Sequence, residues 1–142
     1  MAEIRPPADA AMAVAASALR AQQSRMRIIA ENIANADSTA STPDGDPYRK
    51  QTPVFNTRIL PGGMKGVALT GVAADQTPFK KEYDPGNPAA DSDGFVKMPN
   101  VEPMIETLDM REAQRAYDAN LSVIETARAI DSSTLGLLKG GQ

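Results

Sequence analysis

Apolar residues recur at helical spacing over residues 104–138, a stretch without proline. Steps of three and four positions trace one face of this helix. As far as Ala127 the face has a single polar member, Asn120, and beyond Ala127 it is less consistently apolar. Spacing of this kind is typical of an amphipathic helix that packs against another helix. This C-terminal seam comprises Met110, Ala113, Tyr117, Asn120, Ile124, Ala127, Asp131, Thr134 and Leu138.

A second pattern near the N-terminus supplies the expected partner helix. Residues 10–35 lack Gly and Pro and are rich in good helix formers. Helices over residues 12–33 and 104–138 would be about 33 Å and about 52 Å long, at about 1.5 Å per residue. We expect Asp9 to cap the first helix and Pro103 to lie in the first turn of the second. This N-terminal seam comprises Met12, Ala16, Leu19, Gln23, Met26, Ala30 and Ile33, with Ala15 and Ile29 beside it.

The middle of the chain has a different composition. Residues 43–103 hold nine of the eleven prolines and seven of the ten glycines, which excludes a continuous helix. Alternating apolar and polar residues predict brief strands, separated by turns rich in Pro and Gly. The predicted strands span residues 48–60, 67–72, 79–83 and 95–98, with turns at 61–63 and 84–86.

Together these patterns predict a mainly α fold. The N- and C-terminal helices would pair as a coiled coil, with a small β/irregular module inserted between them. The corresponding division is an N-terminal helical arm over residues 1–36, an inserted module over 37–99 and a C-terminal helical arm over 100–142.

Composition removes several classes of function. The formal net charge is −3 and no basic stripe is present, so we expect no binding to nucleic acid. The chain has no Cys, hence no disulfides or thiol chemistry, and no His, the commonest general base and metal ligand. No run of about 18 apolar residues occurs, so we expect no membrane span.

The apolar residues 10–19 and the triplet Ala16-Ser17-Ala18 resemble part of a secretory signal peptide. However, the run is mostly Ala, and Arg5 before it is balanced by Glu3. The helical pattern also continues through the candidate cleavage point. We therefore expect no cleaved signal peptide.

We predict no catalytic, cofactor-binding or metal site. Asp91-Ser92-Asp93-Gly94 is similar to part of a calcium-binding loop, but Asn100 stands where the twelfth ligand of that loop, a Glu, is required. We interpret this segment as a turn. Asn120-Leu121-Ser122 fits the glycosylation pattern, yet it lies in a predicted helix, where Asn120 is better interpreted as setting the register of helix packing.

Two segments resemble the bacterial flagellar axial proteins, which are the rod, hook and hook-junction subunits. The first is SRMRIIAENIANADST (24–39) followed by PYRK (47–50), in which Asn32, Asn35 and Ala36 carry the likeness. The second is YDPGNPAADSDGFVKMPNV (83–101), which leads into residues 110–130. Its DGFVKMPNV stretch is the more discriminating and is similar to subunits of the proximal rod.

The resemblance implies a structural protein rather than an enzyme, without cofactors. Members of the family are coiled coils of N- and C-terminal helices with a small domain between them. They pack helically with copies of themselves and with neighbouring rod proteins in the periplasm, where the rod transmits motor torque. They are exported unfolded through the flagellar type III apparatus, without a cleaved signal peptide.

Two other classes of function remain open. A helical binding module or adaptor linked to flagellar secretion would use the same pair of helices, and a hydrolase would depend on carboxylates alone. Under the structural interpretation, the candidate assembly and packing residues are Met12, Leu19, Met26, Asn32, Ile33, Asn35, Met110, Tyr117, Asn120, Ile124 and Leu138.

Overall fold

The computed structural model describes residues 7–141. Its elements follow the predicted order of a helix, short strands and a second helix. In chain order they are α1 (Pro7–Ala34), β1 (Gln51–Ile59), β2 (Lys65–Ala74), β3 (Lys80–Tyr83), β4 (Phe95–Met98) and α2 (Pro103–Gly140). The prediction of two terminal helices with a small β module between them is therefore confirmed, whereas coiled-coil pairing of the helices stays a prediction.

β1 and β2 form one two-stranded sheet, joined by a tight hairpin turn. Gly63 N donates to Leu60 O at 3.0 Å, and Leu60 N donates to Met64 O at 2.7 Å. Pro61 occupies the first central position of the turn and Gly62, with φ of 91°, the second. This arrangement is a type II turn, which needs positive φ at the second central position. The turn predicted here is confirmed.

β3 and β4 form a second, antiparallel sheet in which Tyr83 pairs with Phe95 and Lys80 with Met98. Asp91 stabilises the loop between these strands: its Oδ1 accepts hydrogen bonds from Asp93 N and Phe95 N, each at 2.9 Å. The predicted Asp-Gly turn is therefore confirmed. Within residues 7–141 no three acidic side chains are grouped so that they could hold a metal ion.

The start of α1 differs from the prediction. The helix already includes Pro7, so Asp9 lies in its first turn rather than at the cap position. The fixed φ of proline suits a first helical residue, and an acidic side chain in the first turn complements the helix dipole. Pro103 opens α2 as predicted. Neither described helix contains an apolar stretch long enough to cross a membrane.

The residues group into two compact units, each of which includes part of both helices. Of the described residues, unit 1 comprises 7–24, 55–70 and 112–141, and unit 2 comprises Arg25–Val54 and Gly71–Arg111. The buried residues of unit 1 are mostly small: Ala15, Ser17, Ala21, Leu60, Ala113 and Ala127. Those of unit 2 are larger or polar, and include Ile28, Ile29, Asn32, Val96, Asn100, Val101 and Glu106.

The two predicted seams differ in burial. In α2 the seam is the least exposed face as far as Asp131, after which Thr134 and Leu138 are exposed. In α1 the buried positions are shifted from the predicted seam, of which Gln23, Ala30 and Ile33 are exposed, whereas Ala15 and Ile29 beside it are buried. Alanines lie on several sides of α1, so apolar spacing alone does not identify which side packs. The fully buried positions of α1 are Ala15, Ser17, Ala21, Ile28, Ile29 and Asn32.

Candidate functional site

Asn32, near the end of α1, is one of the two most buried polar side chains described in unit 2 and is 1% exposed. Its Oδ1 accepts hydrogen bonds from Tyr48 Oη at 2.7 Å and from Gln51 N at 2.9 Å. Its Nδ2 donates to Gln51 O at 2.8 Å and to Glu106 Oε2 at 3.3 Å. Both donors and both acceptor positions of the amide are therefore used.

Glu106, on the first turns of α2, is a buried carboxylate that is also 1% exposed. Lys50 Nζ lies 2.7 Å from its Oε1 and compensates its charge. A buried charge without such a partner is strongly unfavourable. The interaction with Glu106 is also the main reason why the pKa of Lys50 is raised above its ordinary value, an effect that burial of the lysine partly opposes.

Asn100, which precedes α2, forms hydrogen bonds with the residue before β1 and with two residues after β2. Its Oδ1 accepts from Lys50 N at 2.7 Å, and its Nδ2 donates to the carbonyls of Asp75 and Thr77 at 3.1 Å and 3.0 Å. Arg49 Nη1 donates to the same Asp75 carbonyl at 2.9 Å, and its guanidinium lies 4.2 Å above the Phe79 ring. These contacts fix the open end of the β1–β2 hairpin.

We refer to Asn32, Tyr48, Lys50, Asn100 and Glu106 as the polar anchor. Burial, followed by the negative charges of Glu31 and Glu106, raises the pKa of the Tyr48 phenol. Its proton is therefore held on the oxygen that donates to Asn32. The anchor joins the end of α1, the segment entering β1 and the start of α2 through interactions within unit 2. Its amides are occupied by protein groups, so the arrangement suits structural fixation better than binding of a small molecule.

Asn35, the second asparagine of the N-terminal motif, forms hydrogen bonds at the C-terminal end of α1 and is not part of the polar anchor. Its Nδ2 donates to Glu31 O at 2.8 Å, and its Oδ1 accepts from Ser38 Oγ at 3.1 Å. Its backbone N–H also bonds to Glu31 O at 3.1 Å. Asn35 thus gives the Glu31 carbonyl, one of the last four carbonyls of α1, two hydrogen bonds, from its backbone and from its side chain.

The predicted packing residues occupy three kinds of environment. Asn32 alone is fully buried, whereas Ile33 and Leu138 are exposed by 36% and 69% of their surfaces. Asn120 Nδ2 donates to Ala116 O of its own helix at 2.8 Å, and its side chain lines a groove with Val14 and Val123. The role of the predicted packing residues in assembly stays a prediction. The remaining candidates are half-buried: Met12, Leu19, Met26, Asn35, Met110, Tyr117, Asn120 and Ile124.

Large apolar side chains of α2 lie open at both of its ends. Met104 is 81% exposed in unit 2, and Leu137 is 80% exposed in unit 1. Clusters of exposed apolar residues of this kind mark interaction surfaces. The α2 residues in this class are Met104, Ile105, Leu108, Leu121, Val123, Ile130, Leu135, Leu137 and Leu138.

Sequence reasoning missed part of the polar anchor. Tyr48 and Lys50 lie in the PYRK segment and Asn100 in the DGFVKMPNV segment, so the motifs contained a signal without revealing the contact. Glu106 gave no such signal, because an acidic residue in the first turn of a helix is usually solvated and favoured by the helix dipole.

Comparisons with known families agree with these motifs at both ends of the chain. A family described as "Flagella basal body rod protein" matches residues 12–40, and one described as "Flagellar basal body rod FlgEFG protein C-terminal" matches residues 92–137. The first match contains Asn32 and Asn35, and the second contains Asn100 and Glu106.

Curated relatives match over nearly the whole chain. Flagellar basal-body rod protein FlgC of Agrobacterium fabrum is 50% identical over 137 residues, which cover 96% of this chain and 99% of the relative. FlgC of Salmonella typhimurium is 44% identical, over 87% of this chain and 92% of the relative. FlgC of Borreliella burgdorferi is 38% identical, over 89% of this chain and 95% of the relative. The chain therefore belongs to the FlgC family of flagellar basal-body rod proteins.

Proposed function

We propose that this protein is a structural subunit of the proximal rod of the bacterial flagellar basal body. The observation that carries the proposal is the 50% identity to a basal-body rod protein over almost the full length of both chains. The polar anchor supports a structural role, because it fixes three segments of unit 2 and leaves its buried amides no capacity for a substrate. We propose no catalytic activity and no cofactor.

In this proposal the subunit assembles helically with copies of itself and with neighbouring rod proteins. The support comes from α2, whose exposed apolar side chains have no cover within the described part of the chain. Burying them would be worth roughly 25 cal/mol per Å² of apolar surface. We further propose that α1 and α2 pair as a coiled coil in the assembled rod, with Ala113, Tyr117, Asn120, Ile124 and Ala127 as the seam of α2.

We also propose that the protein reaches the periplasm through the flagellar type III apparatus without cleavage of a signal peptide. The run at residues 10–19 lies inside the continuous helix α1, so cleavage after Ala18 would remove residues 7–18 of that helix. A rod built from packed helices would be stiff, since packed protein interiors resist compression. Stiffness is the property that transmission of torque requires.

The test is deletion of the gene in its native bacterium, with complementation by variants. Ile124→Asp places a charge on the half-buried seam, so we expect cells without assembled rods and without swimming. Thr126→Asp, on an exposed position of the same helical turn, is the matched control and should restore swimming. Immunoblots would confirm equal amounts of both variants.

Normal swimming of the deletion strain, or of cells with Ile124→Asp at normal abundance, would contradict the proposal. A secretion adaptor would give a different result. Deletion would then stop export of other axial proteins, while the protein itself would be absent from purified basal bodies.

A further inference from the structure

The loop end of the β3–β4 sheet presents two aromatic rings among acidic side chains. Tyr83 is 65% exposed and Phe95 40%, and their ring centroids lie 5.4 Å apart in an edge-to-face arrangement. Residues 82–95 contain four carboxylates and no Lys or Arg. We call this surface the acidic tip, which consists of Tyr83, Asp84, Asp91, Asp93 and Phe95.

The acidic tip is held in one shape by its own hydrogen bonds. Asp84 N donates to Gly94 O at 2.9 Å, and Asp91 N donates to Phe95 O at 2.9 Å. Gly94 has φ of 85°, and a Cβ there would lie 2.8 Å from Tyr83 Cε2. A surface that is already ordered loses little conformational entropy when it binds.

Unit 1 contains a pocket of opposite charge, formed by α1 and the β1–β2 hairpin. Its volume is about 210 Å³, and its lining includes Arg20, Ser24, Arg58, Leu60 and Leu69. Arg20 and Arg58 are exposed, and neither guanidinium has an ion-pair or hydrogen-bond partner within residues 7–141. Leu60 is buried and Leu69 half-buried, so the inner wall is partly apolar. We call this the arginine pocket.

The charge around the arginine pocket is of one sign. Residues 10–24 and 55–70, which provide all of its lining, contain three basic residues and no acidic residue. Apolar walls beneath two guanidinium groups suit an aromatic ring flanked by carboxylates, since Arg binds both aromatic faces and carboxylates. Tyr and Arg are also the residues most often found at the energetic centres of protein interfaces.

We propose that the acidic tip of one copy of this protein docks in the arginine pocket of a second copy. An aromatic ring of the tip enters between Leu60 and Leu69, and the carboxylates pair with Arg20 and Arg58. The two surfaces differ, so the contact is heterologous and can repeat from one copy to the next, as a ring where the rotation closes or as a helix where it does not. The inference rests on the proposed role as a rod subunit and specifies one contact within it.

Cysteine cross-linking tests this contact directly, because the chain contains no Cys. Ser24→Cys marks the pocket and Asp93→Cys marks the tip, and the two single variants are expressed together in the deletion strain. We expect a disulfide-linked dimer in isolated basal bodies only when both variants are present. Ser122→Cys, on an exposed position of α2, replaces Ser24→Cys as the matched control and should give no dimer with Asp93→Cys.

Charge reversal supplies a functional measurement. Arg58→Asp and Asp93→Arg should each cause loss of swimming, and their combination in one chain should restore it by re-forming the pair between copies. Both positions are exposed, so neither change disturbs a buried group. Circular dichroism of the purified variants would verify that they fold.

The outcomes separate the two proposals. Rods that contain the protein but yield no dimer, or a cross-link to a protein of another size, would overturn this contact and leave the rod assignment intact. The same holds if both single reversals swim normally. Absence of the protein from purified rods would overturn the assignment and the contact together.

Discussion

Asn32 and Glu106 lie 74 positions apart in the sequence, yet the amide nitrogen of one is 3.3 Å from a carboxylate oxygen of the other. Each is 1% exposed. Tyr48 and Gln51 complete the hydrogen bonds of Asn32, and Lys50 compensates the charge of Glu106. One asparagine thus links three separate segments of unit 2, and its contacts give the predictions below.

Replacement of Asn32 by Ala should destabilise the protein strongly. The change leaves the Tyr48 hydroxyl and the Gln51 backbone groups without their partners, and each buried unpaired group costs about 1–3 kcal/mol. We expect the free energy of unfolding to fall by about 2–4 kcal/mol in urea denaturation. Asn56→Ala is the control, since Asn56 is exposed and, among residues 7–141, its side chain bonds only to Thr70 Oγ1, at 2.9 Å; the change should cost about 0.5 kcal/mol or less. Equal effects of the two changes would contradict the anchoring role.

Removal of the Lys50 charge should be more harmful than removal of the whole pair. Lys50→Met leaves the Glu106 carboxylate buried without compensation, so we expect a loss of about 2–4 kcal/mol in unfolding free energy. The double change Lys50→Met with Glu106→Leu should recover most of that loss, because apolar pairs often replace buried ion pairs without penalty. Urea denaturation of the single and double variants measures the coupling. A double variant less stable than Lys50→Met would show that the charge pair is not the main interaction.

Stability should decline in alkaline solution. The pKa values of Lys50 and Tyr48 are raised above their ordinary values of 10.5 and 10.0, so the folded state binds these protons more tightly than the unfolded chain. The contribution is therefore fully present below the unfolded pKa values and is lost as pH rises through the folded ones. Urea denaturation from pH 8 upward should show a falling free energy of unfolding beyond about pH 10. The fall should be shallower in Tyr48→Phe; an identical slope would exclude Tyr48 as a contributor.

Two glycines of the loop between β3 and β4, Gly86 and Gly94, should respond differently to alanine. Gly94 has positive φ, and a Cβ would meet the Tyr83 ring, so Gly94→Ala should cost about 1–2 kcal/mol from backbone strain alone. Gly86 has ordinary φ, and a Cβ there would approach no atom closer than 4.0 Å, so Gly86→Ala should be neutral or slightly stabilising. Thermal unfolding of the two variants makes the comparison. A stable Gly94→Ala protein would contradict the described turn.

Local patterns predicted the secondary structure well. The helices were evident from spacing, and the turns at residues 61–63 and 91–94 from Pro, Gly and Asp, because these residues restrict the backbone wherever they occur. Asp9 was wrongly expected to cap α1, since Pro7 already adopts the first helical position. The N-terminal seam matched the burial of α1 only in part, because alanine adds apolar character to several sides of a helix without favouring one.

The sequence by itself determined the order of the elements, the absence of thiol and imidazole chemistry, and the motifs shared with flagellar axial proteins. These are properties of residue type and short-range spacing. Only the tertiary structure decided that Asn32, Tyr48, Lys50, Asn100 and Glu106 join in one network of hydrogen bonds and an ion pair, in which Asn32, Asn100 and Glu106 are buried. Burial and hydrogen-bond partners depend on segments that meet across as many as 74 positions, and no local pattern encodes that distance.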